Sequence, residues 1–174
     1  GGAYVYRFDG TDWIETKLLA SDGVSGDKFG FSVAISGDTV VVGAPLNDDN
    51  ETSSGSAYVY RFDGNNWIET KLLASDGGSN DRFGGSVAIS GSTVVVGSYS
   101  DDDGGSNSGS AYVYRFDGTD WIETKLTASD GSSNDTFGKS VAVDGETVVV
   151  GALQDSDNGS VSGSAYIYKF DGTD

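Results

Sequence analysis

The segment Ala-Tyr-Val-Tyr-Arg-Phe-Asp-Gly at residues 3–10 decides the fold, because it returns almost unchanged at a fixed interval. It recurs at residues 57–64 and 111–118, and as Ala-Tyr-Ile-Tyr-Lys-Phe-Asp-Gly at residues 165–172, each time 54 residues further on. A constant period of this kind indicates structural units that bury their apolar faces against one another. We therefore expect a repeat protein of three 54-residue repeats plus an overlapping strand.

Composition limits the possible partners and cofactors. The 174 residues include 27 Asp and Glu against 10 Lys and Arg, a net charge of −17. This charge argues against nucleic acid as a partner, since nucleic acid needs clustered cations, and no segment suits membrane insertion. Cys, His and Met are absent, so zinc, copper, haem and iron–sulfur centres lose their usual ligands. The remaining oxygen ligands suit calcium.

Each repeat is predicted to contain four short strands, which we call A, B, C and D. In one repeat they cover residues 31–36, 39–44, 57–62 and 67–74. Strand B is a continuous β-branched run, as expected for a strand covered on both faces, and strand D is amphipathic, as expected at an outer edge. No segment shows helical spacing. Four strands per repeat indicate an all-β fold of β-propeller-type blades, with an open β-solenoid as the alternative.

The predicted strands divide the chain into four parts. Residues 1–26 would supply strands C and D of a first partial blade, and residues 27–80 and 81–134 would form two blades. Residues 135–174 would supply strands A to C of a last partial blade. Closed propellers have about four to eight blades. We therefore expect an excerpt of a longer array, or a protomer that completes a ring or filament with further copies of itself.

Short motifs in each repeat resemble the FG-GAP repeat family, the blades of integrin-α-like propellers. Phe-Gly precedes strand A, and Gly-Ala-Pro or a variant ends strand B. The resemblance implies a propeller that is usually secreted or on a cell surface and serves adhesion or ligand binding. The matching residues are Phe29-Gly30 with Gly43-Ala44-Pro45, Phe83-Gly84 with Gly97-Ser98-Tyr99, and Phe137-Gly138 with Gly151-Ala152-Leu153.

One feature of the resembling family is missing. Integrin-like members carry an Asp-rich calcium loop between strands A and B. Here that position holds only short turns at residues 36–38, 90–92 and 144–146. These turns offer too few oxygens for an ion that takes about six to eight oxygen ligands. The family's standard calcium site therefore cannot be assigned to this chain.

Acidic residues are concentrated in two other kinds of connection, B–C and D–A. In an antiparallel meander both kinds emerge at the same end of the sheet, so we expect one acidic face. The candidate metal ligands, in the B–C connections, are Asp48, Asp49, Asp101, Asp102, Asp103, Asp155 and Asp157. The candidate ligand-binding face, in the D–A connections, comprises Asp22, Asp27, Asp76, Asp81, Asp130 and Asp135.

Two interpretations of these carboxylates remain open. Adjacent carboxylates repel one another unless a cation or water separates them, which favours calcium in the B–C connections. However, Asp, Asn, Ser and Gly also form turns by bonding nearby backbone amides, and no complete calcium loop is present. For Asp27, Asp81 and Asp135, which precede Phe-Gly at a fixed distance, we expect turn bracing.

Aromatic and basic side chains in strand C have simpler explanations. We expect Tyr58, Tyr60 and their copies to pack between blades, because alternate strand faces must meet the next unit. Arg7, Arg61 and Arg115 are expected to pair with neighbouring carboxylates.

Two functions fit these features. The first is an extracellular, non-enzymatic binding or adhesion module that holds calcium, a glycan or a protein on its acidic connections. The second is a structural repeat of a surface filament whose partners are further copies of itself, since the repeats are nearly identical. An enzyme is disfavoured, because nothing singles out a catalytic carboxylate pair.

Overall fold

The computed structural model describes residues 1–172 of the chain. Those residues contain 13 β-strands and no helix, so none of the described segments is a helix able to span a membrane. The strands are β1 (Ala3–Phe8), β2 (Trp13–Leu18), β3 (Ser32–Ser36), β4 (Thr39–Ala44), β5 (Ser56–Phe62), β6 (Trp67–Leu72), β7 (Phe83–Ser90), β8 (Thr93–Ser98), β9 (Ser110–Phe116), β10 (Trp121–Leu126), β11 (Phe137–Asp144), β12 (Thr147–Ala152) and β13 (Ser164–Lys169).

The strands form four antiparallel sheets in which each strand pairs with the next along the chain. The sheets are β1-β2, β3-β4-β5-β6, β7-β8-β9-β10 and β11-β12-β13. The prediction of an all-β fold with blade-like 54-residue repeats is confirmed. Strands β6 and β10 lie at sheet edges, as expected for the amphipathic strand D.

The prediction placed some strand boundaries wrongly. Strand β3 begins at Ser32 rather than residue 31, because Gly30 has a φ of 91° and the amide of Phe31 bonds to the Lys28 carbonyl in a turn. Strand β6 ends at Leu72 rather than residue 74. There the chain turns, since the amide of Gly77 donates to the carbonyl of Ala74.

The apolar core lies between neighbouring sheets. Val41 of β4 packs with Val94 and Tyr112 of the following sheet. Val40 and Val42 point the other way, into a cluster with residues of β1 and β2. Side chains on a strand alternate between faces, so one valine run covers two interfaces, each fully buried valine contributing about 1.5–3 kcal/mol.

The strand C tyrosines of β5 and β9 pack between sheets as predicted, whereas their copies in β1, Tyr4 and Tyr6, are 52% and 51% exposed. Tyr58 and Tyr112 are fully buried. The ring of Phe29 meets Tyr58 edge to face at 5.3 Å, and Phe83 meets Tyr112 at 5.4 Å. This geometry suits the charge distribution of aromatic rings. The Phe of each Phe-Gly motif is therefore a core residue of its interface.

The glycines of the two repeat motifs meet across the interface between sheets. Gly84 has a φ of 87°, and its carbonyl lies against Gly43 of the preceding sheet. A Cβ atom on Gly43 would overlap that carbonyl oxygen, which also accepts a 2.8 Å hydrogen bond from Ser32 Oγ. The same contact joins Gly97 to the carbonyl of Gly138. Both motifs therefore serve close approach of two backbones.

Arginines of strand C do not all behave as the sequence predicted. Arg7 does pair with Asp38, at 3.4 Å. However, the guanidinium of Arg61 lies 4.5 Å from the ring centre of Phe116, in the next sheet, and Arg115 stacks on Phe170 in the same way. A planar, weakly hydrated guanidinium stacks well on an aromatic face. The expected ion pair is thus replaced by a stacking contact between sheets.

The connections emerge at two opposite ends of the sheets. The β3–β4 turn bonds to the end of β5 through the amide of Phe62 and the carbonyl of Asp38. The β5–β6 turn begins at the same end, where Asp63 accepts hydrogen bonds from the amides of Asn65 and Asn66. The longer β4–β5 and β6–β7 connections lie at the other end, because consecutive strands are antiparallel.

Substitution of Gly97 tests the glycine contact. Gly97→Ala should destabilise the protein by about 2–3 kcal/mol, because the added Cβ forces two backbones apart. Gly77→Ala is the matched control, since its Cβ would lie at an ordinary 3.4 Å from the carbonyl oxygen of Ala74. Guanidinium unfolding monitored by tryptophan fluorescence gives both values. Equal stabilities of the two variants would contradict the proposed role of the contact.

Candidate functional site

The long connections of successive sheets join into one continuous surface, which we call the loop rim. It consists of residues 19–31, 45–55, 73–82, 99–109, 127–136 and 153–163. The β4–β5 connection receives hydrogen bonds from the β6–β7 connection and from the start of β7: the Asn80 amide donates to Thr52 O at 2.8 Å, and the Phe83 amide to Ser54 O at 2.9 Å. The next repeat has the same contact, Asn134 N to Ser106 O at 2.7 Å. Backbone bonds thus fix the rim between repeats.

Three predicted face residues are buried within the rim and brace turns. Asp27, Asp81 and Asp135 are each less than 8% exposed. Their carboxylates accept hydrogen bonds from the amides of residues three positions earlier, at 2.9, 2.6 and 2.6 Å. Burial raises the pKa of Asp81, and the amide bond offsets part of that rise. These carboxylates support the backbone and do not face solvent.

Two predicted metal ligands in the B–C connections also bond to backbone amides. Asp48 Oδ1 accepts from Ser53 N at 2.6 Å, and Asp102 Oδ1 accepts from Asn107 N at 2.6 Å. Ser53 and Asn107 both have a positive φ, near 50°. The carboxylates hold these left-handed turns in place, while Asp48 and Asp102 themselves remain exposed.

The other carboxylates of the second repeat converge on one lysine. Lys125 Nζ lies 2.7 Å from Asp76 Oδ2, 3.0 Å from Asp101 Oδ2 and 2.6 Å from Asp103 Oδ2. Asp101 is 2% exposed. The Tyr112 hydroxyl lies within hydrogen-bond distance of both Asp76 and Asp101, at 2.7 and 3.0 Å. A D–A and a B–C connection are therefore joined through strand β10.

The first repeat has a smaller version of this cluster. Lys71 Nζ lies 2.8 Å from Asp22 Oδ2 and also bonds to Asp49. The position of Asp101 is taken by Asn47, whose Oδ1 accepts a hydrogen bond from Ser56 Oγ at 2.7 Å. This repeat therefore has one carboxylate fewer around its lysine.

The third set of carboxylates comes together around a tyrosine. The Tyr166 hydroxyl lies 2.8 Å from both Asp130 Oδ1 and Asp155 Oδ2. The negative charges of Asp155 and Asp130 raise the pKa of Asp157. Hydrogen bonds from the Asp157 amide and Tyr166 lower the pKa of Asp155. The structure thus brings B–C and D–A carboxylates together in all three repeats.

Lysine contacts shift the acidity of the rim. The hydrogen bond from Lys71 lowers the pKa of Asp22. Burial acts to raise the pKa of Asp76, but hydrogen bonds from Lys125 and Tyr112 outweigh it and hold that pKa below its usual value. Burial likewise opposes charge on Lys125, yet its three carboxylate partners raise its pKa. Asp76 and Lys125 are therefore both charged at neutral pH.

Lys71 and Lys125 were not among the site residues predicted from the sequence. Each lies on strand D directly opposite a strand C tyrosine, Lys71 against Tyr58 and Lys125 against Tyr112. A signal was available, because lysine occupies the same position of the Trp-Ile-Glu-Thr-Lys segment in every repeat. This recurrence identifies the lysine but not its carboxylate partners, which lie 22 to 49 residues away along the chain.

Calcium binding at the rim stays a prediction. In the arrangement of side chains that residues 1–172 adopt, no group of three or more acidic residues is able to hold a metal ion. In the second repeat, the central position among the carboxylates is taken by the Lys125 ammonium.

The fold and the rim define an all-β array of propeller-type blades. The FG-GAP repeat family model matches residues 13–60, 67–114 and 121–168, so the chain belongs to the FG-GAP repeat family. Repeats of this family are typically extracellular β-propeller modules and are not typically enzymatic. No curated protein matches the chain.

The lysine clusters predict how stability depends on pH. Carboxylates whose pKa is lowered on folding, such as Asp22 and Asp76, stabilise the native state above their unfolded pKa of about 3.9. That contribution is lost as pH falls through the lower, folded pKa. Lys125→Met should therefore cost about 1–2 kcal/mol at neutral pH, a modest value because Asp76 and Asp103 are partly screened by solvent.

Thermal unfolding of wild type and Lys125→Met between neutral pH and pH 3 measures this contribution. The difference between the two proteins should be constant above about pH 5 and shrink towards pH 3. A difference that grew on acidification would show that the lysine does not act through these carboxylates.

Proposed function

We propose that the chain is an extracellular, non-enzymatic binding or adhesion module whose ligand face is the loop rim. The observation that carries this proposal is the backbone hydrogen bonding between successive connections, such as Asn80 N to Thr52 O. Loops fixed in this way present side chains in a preorganised array, which reduces the entropy lost on binding. Surface loops held by a rigid scaffold are common binding sites.

The charge of the rim favours one class of ligand. Asp48, Glu51 and Asp102 are exposed, and none of them pairs with a lysine in an ion pair at the rim. The chain as a whole carries −17. A cationic protein surface complements such a rim, and electrostatic attraction speeds association. We therefore place a basic protein surface ahead of a neutral glycan as the ligand.

A structural role is the second candidate, and one observation favours it. Contacts between sheets are repeated with nearly the same geometry. Ser21 Oγ donates to Glu69 at 2.7 Å, and Ser75 Oγ donates to Glu123 at 2.6 Å. Uniform junctions suit a surface filament, in which further copies of the chain would be the partners.

Matched charge removal at the two ends of the sheets tests the binding proposal. The rim variant is Asp48→Asn with Asp102→Asn, and the control is Asp63→Asn with Asp117→Asn. All four residues are exposed and accept backbone amide hydrogen bonds through Oδ1, which asparagine retains. Both variants change the net charge equally, so they differ in location alone.

Binding to an immobilised polylysine peptide is then measured by biolayer interferometry at low and physiological salt. The rim variant should bind about 3–10-fold more weakly than wild type, and the control should lose less than about twofold. Equal losses in both variants would leave only non-specific attraction by net charge and refute a rim-specific face. Binding to a neutral glycan array with no binding to the cationic peptide would refute the basic ligand.

A further inference from the structure

We propose that a cavity between the third sheet (β7-β8-β9-β10) and the fourth sheet (β11-β12-β13) is a receptor site for an indole side chain, and that Trp13 of a second copy of this chain fills it. The tryptophan would arrive on strand β2 of that copy, which adds to the edge of β13. This inference deepens the structural candidate, on which it rests, and is independent of ligand binding at the loop rim.

The cavity lies at the end of the sheets opposite the loop rim. Its volume is about 150 Å³, and apolar cavities of about this size bind aromatic rings. Strands β9 and β10 form one wall, and β12 and the end of β13 form the other. The apolar side chains of the lining are Val113, Leu126, Val148, Tyr168 and Phe170.

The preceding junctions between sheets show which side chain fits this position. Trp121 packs against a core cluster that contains the residues 54 positions before four of the lining residues, Val59, Leu72, Val94 and Tyr114. Trp67 packs in the same way against the corresponding cluster one junction earlier. In the cluster between the third and fourth sheets, no tryptophan of residues 1–172 takes this place. The same position therefore holds an indole at two junctions and is a cavity at the third.

Trp13 is the tryptophan that lacks such a covering sheet. Its side chain is 67% exposed, whereas Trp67 and Trp121 are half-buried. Its ring contacts Phe8 at 5.5 Å, but in the described part of the chain no sheet precedes β1 to cover the rest. The chain thus carries both halves of one contact, a cavity at the fourth sheet and an exposed indole at the first.

Strand pairing explains how Trp13 would reach the cavity. In each four-stranded sheet, the tryptophan lies on strand D, which pairs with strand C. Strand β13 is a strand C at the edge of its sheet. Its Ala-Tyr-Ile-Tyr-Lys segment nearly repeats the Ala-Tyr-Val-Tyr-Arg segment of β1, with which β2 pairs. Strand β13 would therefore replace β1 of the second copy, an exchange of like strands that keeps the hydrogen bonds of β2.

The exchange also covers a second exposed side chain. Ile167 is 73% exposed. Its counterpart 54 × 3 residues earlier, Val5, is 6% exposed and packs against the second sheet. In the exchanged arrangement Ile167 would face the second sheet of the incoming copy, as Val5 does within one chain. One contact between copies would thus remove two large apolar side chains from water, which favours association.

Self-association measured by sedimentation velocity tests the contact. The proteins are wild type, Trp13→Ala and Thr124→Trp, whose added ring at the cavity wall would obstruct it. Ile14→Ala is the matched control, because Ile14 is 51% exposed and its copies Ile68 and Ile122 remain 53% and 52% exposed in complete sheets. About 0.5 M salt screens the repulsion between copies, each of which carries −17.

A peptide tests the cavity without any exchange of strands. The fluorescently labelled probe is Thr-Asp-Trp-Ile-Glu-Thr-Lys-Leu, the sequence of residues 11–18 and again of residues 119–126. Its control has alanine in place of tryptophan. The receptor is the Trp13→Ala chain, in which no indole of a second copy competes, and fluorescence anisotropy measures binding.

Trp13→Ala and Thr124→Trp should each weaken self-association by at least about tenfold, because a buried tryptophan is a common binding hot spot. Ile14→Ala should weaken it by less than about twofold. The probe peptide should bind at least about tenfold more tightly than its control, and Thr124→Trp added to the receptor should abolish this difference. Asp48→Asn with Asp102→Asn should associate as wild type does, which separates this test from that of the loop rim.

Three results would overturn the proposal. One is a wild-type chain that stays monomeric at the highest concentration measured, since a second copy would then not be the occupant. Another is equal self-association of wild type and Trp13→Ala. The third is equal binding of the probe peptide and its alanine control, which would show that the cavity does not recognise an indole.

Discussion

The close contact between glycine backbones of neighbouring sheets is the constraint on which the rest of the structure depends. Gly43 and Gly97 leave room for the carbonyls of Gly84 and Gly138, and serine hydroxyls bond to the same oxygens. Any side chain at these positions would separate the sheets. The contact therefore sets the spacing at which the valine and tyrosine side chains close the core.

That spacing also determines the loop rim. Each Phe-Gly motif follows a D–A connection directly, so anchoring the motif places that connection beside the B–C connection of the preceding repeat. Phe83, for example, pairs with Gly55 as an isolated bridge. Carboxylates from both connections then lie close together, and the strand D lysine at the sheet edge reaches them. Packing at the centre of the interface thus determines where the carboxylates and the lysine lie at its end.

Much of this fold could be predicted from the sequence, because the 54-residue period and the valine runs are local patterns with one clear physical meaning. The gathering of B–C and D–A carboxylates also followed from the antiparallel meander. The lysine clusters did not, since Lys125 and Asp76 lie 49 residues apart and meet only through sheet packing. Stacking of Arg61 on Phe116 was missed for the same reason.

Uniform junctions make the repeats interchangeable. The Tyr60 hydroxyl donates to the Leu19 carbonyl at 2.9 Å, the Tyr114 hydroxyl to that of Leu73 at 2.9 Å, and the Tyr168 hydroxyl to that of Thr127 at 2.8 Å. A genetic deletion or duplication of one whole period would rebuild the same junction at the new boundary. Gain or loss of one whole period would therefore change the length of the array while every junction kept the same contacts.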